Sequence, residues 1–201
     1  MGKLITVVGN SGIGKTTLAT KLCEAAPFIA FLEKTDERPF QRKFQDDLKS
    51  YSLPNQVDFL LFRAEQEIYI REHDIVGVQD GGLDQDFHVF TKHFHRKTFL
   101  DAEEYRLCGR LYSTLRRSLP PPDLIIHLTA PVPILTARMA KRERNIEIAK
   151  SKDLAALQNL IEEWLSKNSS IPAIHVDATG DDPSYSSIIE DLIVEINSHL
   201  K

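Results

Sequence analysis

The stretch GKLITVVGNSGIGKTTLAT, residues 2 to 20, constrains this chain more than any other. Leu4 to Val8 is a short apolar run with β-branched residues, the pattern of a buried strand. Gly9, Gly12 and Gly14 crowd the next six positions, and TTLATKLCEAA follows with helical periodicity. Residues Gly9 to Thr16 fit the pattern G-x-x-x-x-G-K-[ST] in full. A loop so poor in side chains wraps its backbone N–H groups around phosphate oxygens, and the helix start behind it adds partial positive charge. Gly9, Asn10, Ser11, Gly12, Ile13, Gly14, Lys15, Thr16 and Thr17 are therefore the expected cradle of a nucleotide, ATP with Mg²⁺. Lys15 reaches the outer phosphates, and the Thr16 hydroxyl ligates the metal. At a glycine use of about 7%, a chance match in a chain of this length is roughly a one-in-a-hundred event. The strand before and the helix after lower that further.

The rest of the chain repeats the alternation. FIAFL (28–32), IVGV (75–78), LIIHL (124–128) and residues 174–176 read as further strands. Residues 55–71, 102–119, 136–164 and 184–200 read as helices, the second closed by Pro120, Pro121 and Pro122. Phe40, Phe44 and Leu48 at four-residue spacing suggest a further short helix. Such alternation implies an α/β fold whose parallel sheet is covered on both faces. Ligands then bind outside the carboxyl ends of the strands. Glu33 ends the second strand, Asp80 follows the third, and the glycine loop follows the first.

At 201 residues, the expectation is one domain spanning 1–201. With 25 basic and 29 acidic residues, the net charge of -4 offers no general attraction to nucleic acid or to an anionic membrane. No apolar run reaches membrane-spanning length. Cys23 and Cys108 lie far apart and read as core thiols of a reducing, cytoplasmic compartment. Gly2 and Thr6 also match a myristoylation start, but burial of that segment as a strand is the stronger reading.

A phosphate-binding loop leaves the fate of the phosphate open. A small-molecule kinase needs an acceptor group, a base to collect its proton, and a lid that excludes water. Residues 138–150 are the lid candidate: Arg138 and Arg142 share a helix face if the helix is continuous, and Arg144 follows. Guanidinium forks match phosphate oxygens and stabilise charge in transit. Glu33 at a strand end is placed to take the proton of an acceptor hydroxyl. Gln56 and Arg63, seven apart, fall on one helical face, and a carboxamide both donates and accepts, as base reading requires. The seven histidines show no ligand spacing backed by other chelators. Phe87, Phe90, Phe94 and Phe99 read as core or subunit contact.

Taken in order, GNSGIGKTT, LEKTDERPF, NQVDFLLFR, PDLIIHLTAP and RMAKRERNIE resemble the deoxyribonucleoside kinase family from Lys3 to about Asp177. The resemblance implies a three-layer αβα fold of the P-loop kinase type. Its parallel sheet has five strands in the order 2-3-1-4-5, and it carries a helical lid. It implies ATP–Mg²⁺-dependent phosphoryl transfer to the 5′-hydroxyl of a deoxyribonucleoside, a purine one above all, by a cytoplasmic homodimer. Glu33 then falls on the family's general base and Gln56 on its base-reading glutamine, with Arg63 one helix face further on. Asp86 falls on the base-reading aspartate, Asp80 on the acid near Mg²⁺, and Glu147 on the sugar-binding glutamate. Arg138, Arg142 and Arg144 fall on the lid arginines. The chain departs from the family at Asp80-Gly81-Gly82, where the family has an acid, then Arg, then Ser. In the family the missing arginine contacts the general-base glutamate and the 5′ oxygen; Lys34, Arg38 and Arg63 are the nearby cations in sequence. Asp84 and Gln45 stand where an aromatic residue and the sugar-contacting Tyr are common. These departures keep two alternatives open: a P-loop kinase of another small hydroxyl or phosphate acceptor, and a regulatory nucleotide-binding protein.

Overall fold

A computed structural model describes residues 1–33, 38–141, 150–180, 182 and 185–200. Strand β1 (Lys3–Val8) leads through the glycine loop into helix α1 (Lys15–Ala25) and strand β2 (Ile29–Phe31). Helices α2 (Gln41–Asp46) and α3 (Leu48–Glu72) precede β3 (Val76–Asp80). A continuous helical stretch follows: α4 (Leu83–Gln85), a π-helical turn (Asp86–Thr91) and α5 (Lys92–Arg96). Helix α6 (Ala102–Ser118) leads to β4 (Leu124–Thr129) and α7 (Val132–Ala140). A 3₁₀ turn (Ser151–Asp153), α8 (Leu154–Lys167), β5 (Ala173–Asp177) and α9 (Ile189–His199) complete the described chain.

The five strands form one parallel sheet in the order β2-β3-β1-β4-β5, as expected of the class. Lys3 to Val7 pair with Val76 to Asp80, and Ile5 to Val8 pair with Leu124 to His127. That register sets the end of β1, the start of the glycine loop and Asp80 on one rim. Side chains alternate across the sheet. Ile5, Val7, Leu124, Ile126 and Leu128 pack under α1, α7 and α9 in the larger apolar cluster. Val8 and Ile125 face Leu157, Ile161 and Trp164 of α8 on the other side. Among the described residues no helix is long and apolar enough to cross a membrane.

Several expectations are corrected. The strand at 28–32 is not a buried one: β2 is an edge strand, and Ile29 is exposed. The helix expected from residue 55 begins at Leu48, with Pro54 inside it. The Asp47 carboxylate caps its start through Lys49 and Ser50, and Phe44 of α2 packs with Leu48, Tyr51 and Leu53. The capped first turns therefore form despite the donor that Pro54 lacks. The helix expected over 136–164 is not continuous, since α7 ends at Ala140 and α8 starts at Leu154. The closing helix begins at Ile189 rather than 184. Arg142, Arg144 and Glu147 lie outside the described residues. Gln45 is exposed on α2, while its neighbour one turn back, Gln41, is buried.

Candidate active site

The glycine loop turns where only glycine turns without strain. Gly14 has φ 108°, and a Cβ there would stand 2.5 Å from the Tyr185 hydroxyl, which donates to the Ile13 carbonyl at 3.2 Å. The loop is also tied down by its own side chains. Asn10 Nδ2 donates to the Leu154 carbonyl at 2.8 Å, so Asn10 offers its backbone, not its side chain, to a ligand. Lys15 Nζ folds over the loop and donates to the Gly9 and Asn10 carbonyls at 3.2 and 3.1 Å. Thr17 is exposed at the rim and Ser11 half-buried. A second anchor escaped the sequence reading. The buried Gln85 carboxamide spans Gly9, donating to its carbonyl at 3.0 Å and accepting from its N–H at 3.3 Å.

Below the loop, the Thr16 hydroxyl donates to Asp80 Oδ2 at 2.5 Å. The other carboxylate oxygen, Oδ1, is buried and has no hydrogen-bond partner among the described residues. A hydroxyl and a carboxylate oxygen at the foot of a phosphate loop are the donor set Mg²⁺ takes alongside phosphates and water. Three or more His, Cys, Asp or Glu side chains grouped as an all-protein cage do not occur among the described residues.

Gly81 follows Asp80 with φ 78°, its N–H bonded to the Val7 carbonyl at 2.9 Å. A Cβ on Gly81 would stand 2.9 Å from Arg63 Nη2. The guanidinium of Arg63, 1% exposed, thus fills the room beside Gly81. Its Nε donates to Asp86 Oδ2 at 2.9 Å, Nη2 stands 3.7 Å from Glu33 Oε2, and Nη1 has no hydrogen-bond partner among the described residues. Arg63, one of the cations read from the sequence, stands beside Glu33. Arg38 instead pairs with Asp58 at 3.2 Å and lies over the Phe62 ring, and Lys34 lies outside the described residues.

Charges are dense here. Burial raises the Glu33 pKa above the ordinary carboxylate value; Asp80 and Asp86 add to the rise, while Arg63 and Lys15 oppose it. Burial also raises Asp86, against the pull of the Arg63 guanidinium. Burial works against the charge on Arg63, but Asp86, Glu33 and Asp80 outweigh it and hold the guanidinium firmly protonated.

Gln56 is buried on α3, one helical face from Arg63. Thr91 Oγ1 lies 2.7 Å from Gln56 Oε1 and 2.8 Å from the Asp86 carbonyl oxygen. Asp84 is turned away from this cluster. Arg116 of α6 joins it to Glu67 by four charge-assisted hydrogen bonds of 2.7–2.9 Å, and the Tyr112 hydroxyl donates to it at 2.7 Å. Arg116 was not singled out in the sequence, where it looks like one of several surface arginines on an amphipathic helix. On the far side of the glycine loop a cavity of about 530 Å³ is lined by Gly12, Thr17, Arg138, Asp182 and Tyr185. Arg138 Nη2 donates to the Gly180 carbonyl there at 2.8 Å.

A family model for deoxynucleoside kinases matches residues 5–201. The chain is 26% identical to the deoxyadenosine/deoxycytidine kinase of Bacillus subtilis (strain 168) over 206 residues, 98% of this chain and 95% of that one. It is 32% identical to a deoxyadenosine kinase of Dictyostelium discoideum over 159 residues, 79% of this chain and 64% of that one. Its fold is that of the deoxyadenosine kinase from M. mycoides solved with products dCMP and a flexible dCDP bound. The TM-score is 0.84 at 24% identity, covering 97% of this chain and 99% of that one.

Proposed function

The chain belongs to the deoxynucleoside kinase family, and from that premise we propose how it transfers a phosphoryl group from ATP to a deoxyribonucleoside. The donor phosphates lie on the backbone N–H groups of residues 9–17, with Lys15 turning from the loop carbonyls to the outer phosphates. Thr16 and Asp80 would hold Mg²⁺, which when bound would supply positive charge against that of the phosphates. The donor base enters the cavity beside Tyr185 and Arg138. On the other side of Asp80, the acceptor presents its 5′-hydroxyl to Glu33, which collects the proton as the new P–O bond forms. Arg63 takes the place of the family's missing arginine beside that carboxylate, and Gln56 and Asp86 read the base, a purine in the first instance.

One relationship carries this reading. Asp80 receives the Thr16 hydroxyl at the foot of the phosphate loop, and the next residue, Gly81, opens the room for the guanidinium that faces Glu33. Metal end and acceptor end are thereby one residue apart where β3 ends. Arg138, Arg142 and Arg144 are proposed as the lid over the phosphates within a single domain, with Glu147 toward the sugar; for Arg142, Arg144 and Glu147 the support is the sequence pattern. A homodimer is supported by Leu61 and Ile68 of α3 and Leu107 of α6, large apolar side chains exposed on two helices that pack together. The test is an ATP-dependent phosphorylation screen over the four deoxynucleosides, their ribose counterparts and their monophosphates. ADP formation that depends on an added deoxynucleoside is the expected result. Turnover only on ribonucleosides or monophosphates, or ATP binding without turnover on any acceptor, contradicts it.

A further inference from the structure

We infer that Thr91 fixes the Gln56 carboxamide with its oxygen toward the acceptor, so that the site selects adenine and cytosine, whose amino group adjoins a ring-nitrogen acceptor, over bases with an oxo group and ring N–H in those places. The inference rests on the reading of Gln56 as a base-reading residue and goes on to say which base edge it reads.

Thr91 is fully buried and Gln56 is 3% exposed, so neither exchanges partners freely with bulk water. A hydroxyl has one hydrogen to give. Thr91 Oγ1 has two neighbours at hydrogen-bond distance, a terminal atom of Gln56 at 2.7 Å and the Asp86 carbonyl oxygen at 2.8 Å. The carbonyl oxygen can only accept, so the hydroxyl hydrogen goes to it. The π-helical turn over Asp86–Thr91 brings the two together, five residues apart. With the hydrogen committed, the Gln56 atom facing Oγ1 has to be a donor. The two ends of a carboxamide have nearly the same shape and are told apart by their partners. Nε2 therefore donates to Thr91, and Oε1 takes the other position.

The outward edge of Gln56 then shows an acceptor, Oε1, beside the second N–H of Nε2. Adenine offers an amino group next to a ring nitrogen acceptor, and so does cytosine; both complement that edge. The oxo group and ring N–H of guanine, hypoxanthine, thymine and uracil are the reverse. They set oxygen against oxygen and N–H against N–H. Were Thr91 a residue without a hydroxyl, the amide would be free to turn over and accept either kind. Thr91 is thus a specificity-determining residue that need not touch the base.

Isosteric pairs isolate the effect: deoxyadenosine against deoxyinosine, and deoxycytidine against deoxyuridine. For the wild-type chain, kcat/KM for the better amino-bearing nucleoside should exceed that of its oxo partner by about 100-fold or more. Thr91→Val keeps the shape and should cut that ratio about tenfold, chiefly by raising activity on the oxo partner. Thr91→Ser keeps the hydroxyl and should retain the ratio, which also guards against a folding defect in the valine variant. A wild-type chain that is indifferent or prefers the oxo partner overturns the inference, as does a ratio unchanged in Thr91→Val. Gln56→Leu locates the fault. A ratio lost in Gln56→Leu but kept in Thr91→Val overturns the role of Thr91 alone. A ratio kept in both overturns base reading by Gln56 as well.

Discussion

Arg63 Nη2 stands 3.7 Å from Glu33 Oε2, in room left by the missing side chain of Gly81. The glycine after Asp80 and the burial of the Arg63 guanidinium are thus parts of one arrangement. Gly81→Ala should disturb it from two directions, through its φ of 78° and through a Cβ 2.9 Å from Nη2. Turnover should fall about tenfold or more while the KM for ATP stays near wild type. Steady-state kinetics in both substrates checks this; a variant with wild-type kcat contradicts it.

The same contact has a pH signature. A general base works as the carboxylate, so activity falls as pH drops through its pKa. Burial raises that pKa, and Arg63 pulls it back down. The acid limb of the kcat/KM profile, which reports the free enzyme, should therefore lie above the ordinary carboxylate range, and Arg63→Met should move it higher still. An acid limb that does not move in Arg63→Met separates Arg63 from the ionisation of Glu33.

Lys15→Ala should lower kcat by about 10²–10³-fold, since a half-buried cation proposed to reach the transferring group is lost. Thermal stability should change little, because the Lys15 ammonium is half-buried at the loop and bonds the Gly9 and Asn10 carbonyls rather than the apolar core. Kinetics beside a melting curve distinguishes this from a folding defect.

Arg116→Met tests stability rather than chemistry. It strands Glu67, 1% exposed on its side chain, and Asp84 without their shared cation. Leaving buried carboxylates uncompensated typically costs about 3–5 kcal/mol, readable by urea unfolding. A loss below about 1 kcal/mol would mean the network is worth no more than a surface pair.

Burial and the neighbouring His175 push the His127 imidazole down to about 4 from the ordinary 6.5. Between those values the unfolded chain binds the proton and the folded chain does not. The contribution is complete above 6.5 and is lost as pH falls toward 4. His127→Gln should flatten the fall in unfolding free energy across that window. An identical slope in the variant would place the proton uptake elsewhere.

Much of the site was legible because it is written locally. The glycine loop is contiguous, Glu33 and Asp80 lie where strands end, and the seven-residue step from Gln56 to Arg63 survives as a shared helix face. What escaped is what only folding brings together. Gln85 reaches Gly9 across 76 positions, Thr91 reaches Gln56 across 35, and Arg116 reaches Glu67 across 49. None of these carries a local pattern, and the π-helical turn that aims Thr91 has no sequence rule of its own. The start of α3 escaped for a different reason: the helix runs seven residues further back than expected, through Pro54, on the Asp47 cap and the packing of Phe44.

The central claim is that Glu33 is the base for the acceptor hydroxyl, held beside Arg63 rather than in the metal site. Glu33→Gln kinetics with the best deoxynucleoside acceptor, run beside an ATP titration, tests it most directly. The account predicts a loss of kcat of about 10²–10⁴-fold with ATP affinity near wild type. Unchanged turnover, or a parallel collapse of ATP binding that assigns Glu33 to the metal and nucleotide site, would contradict it.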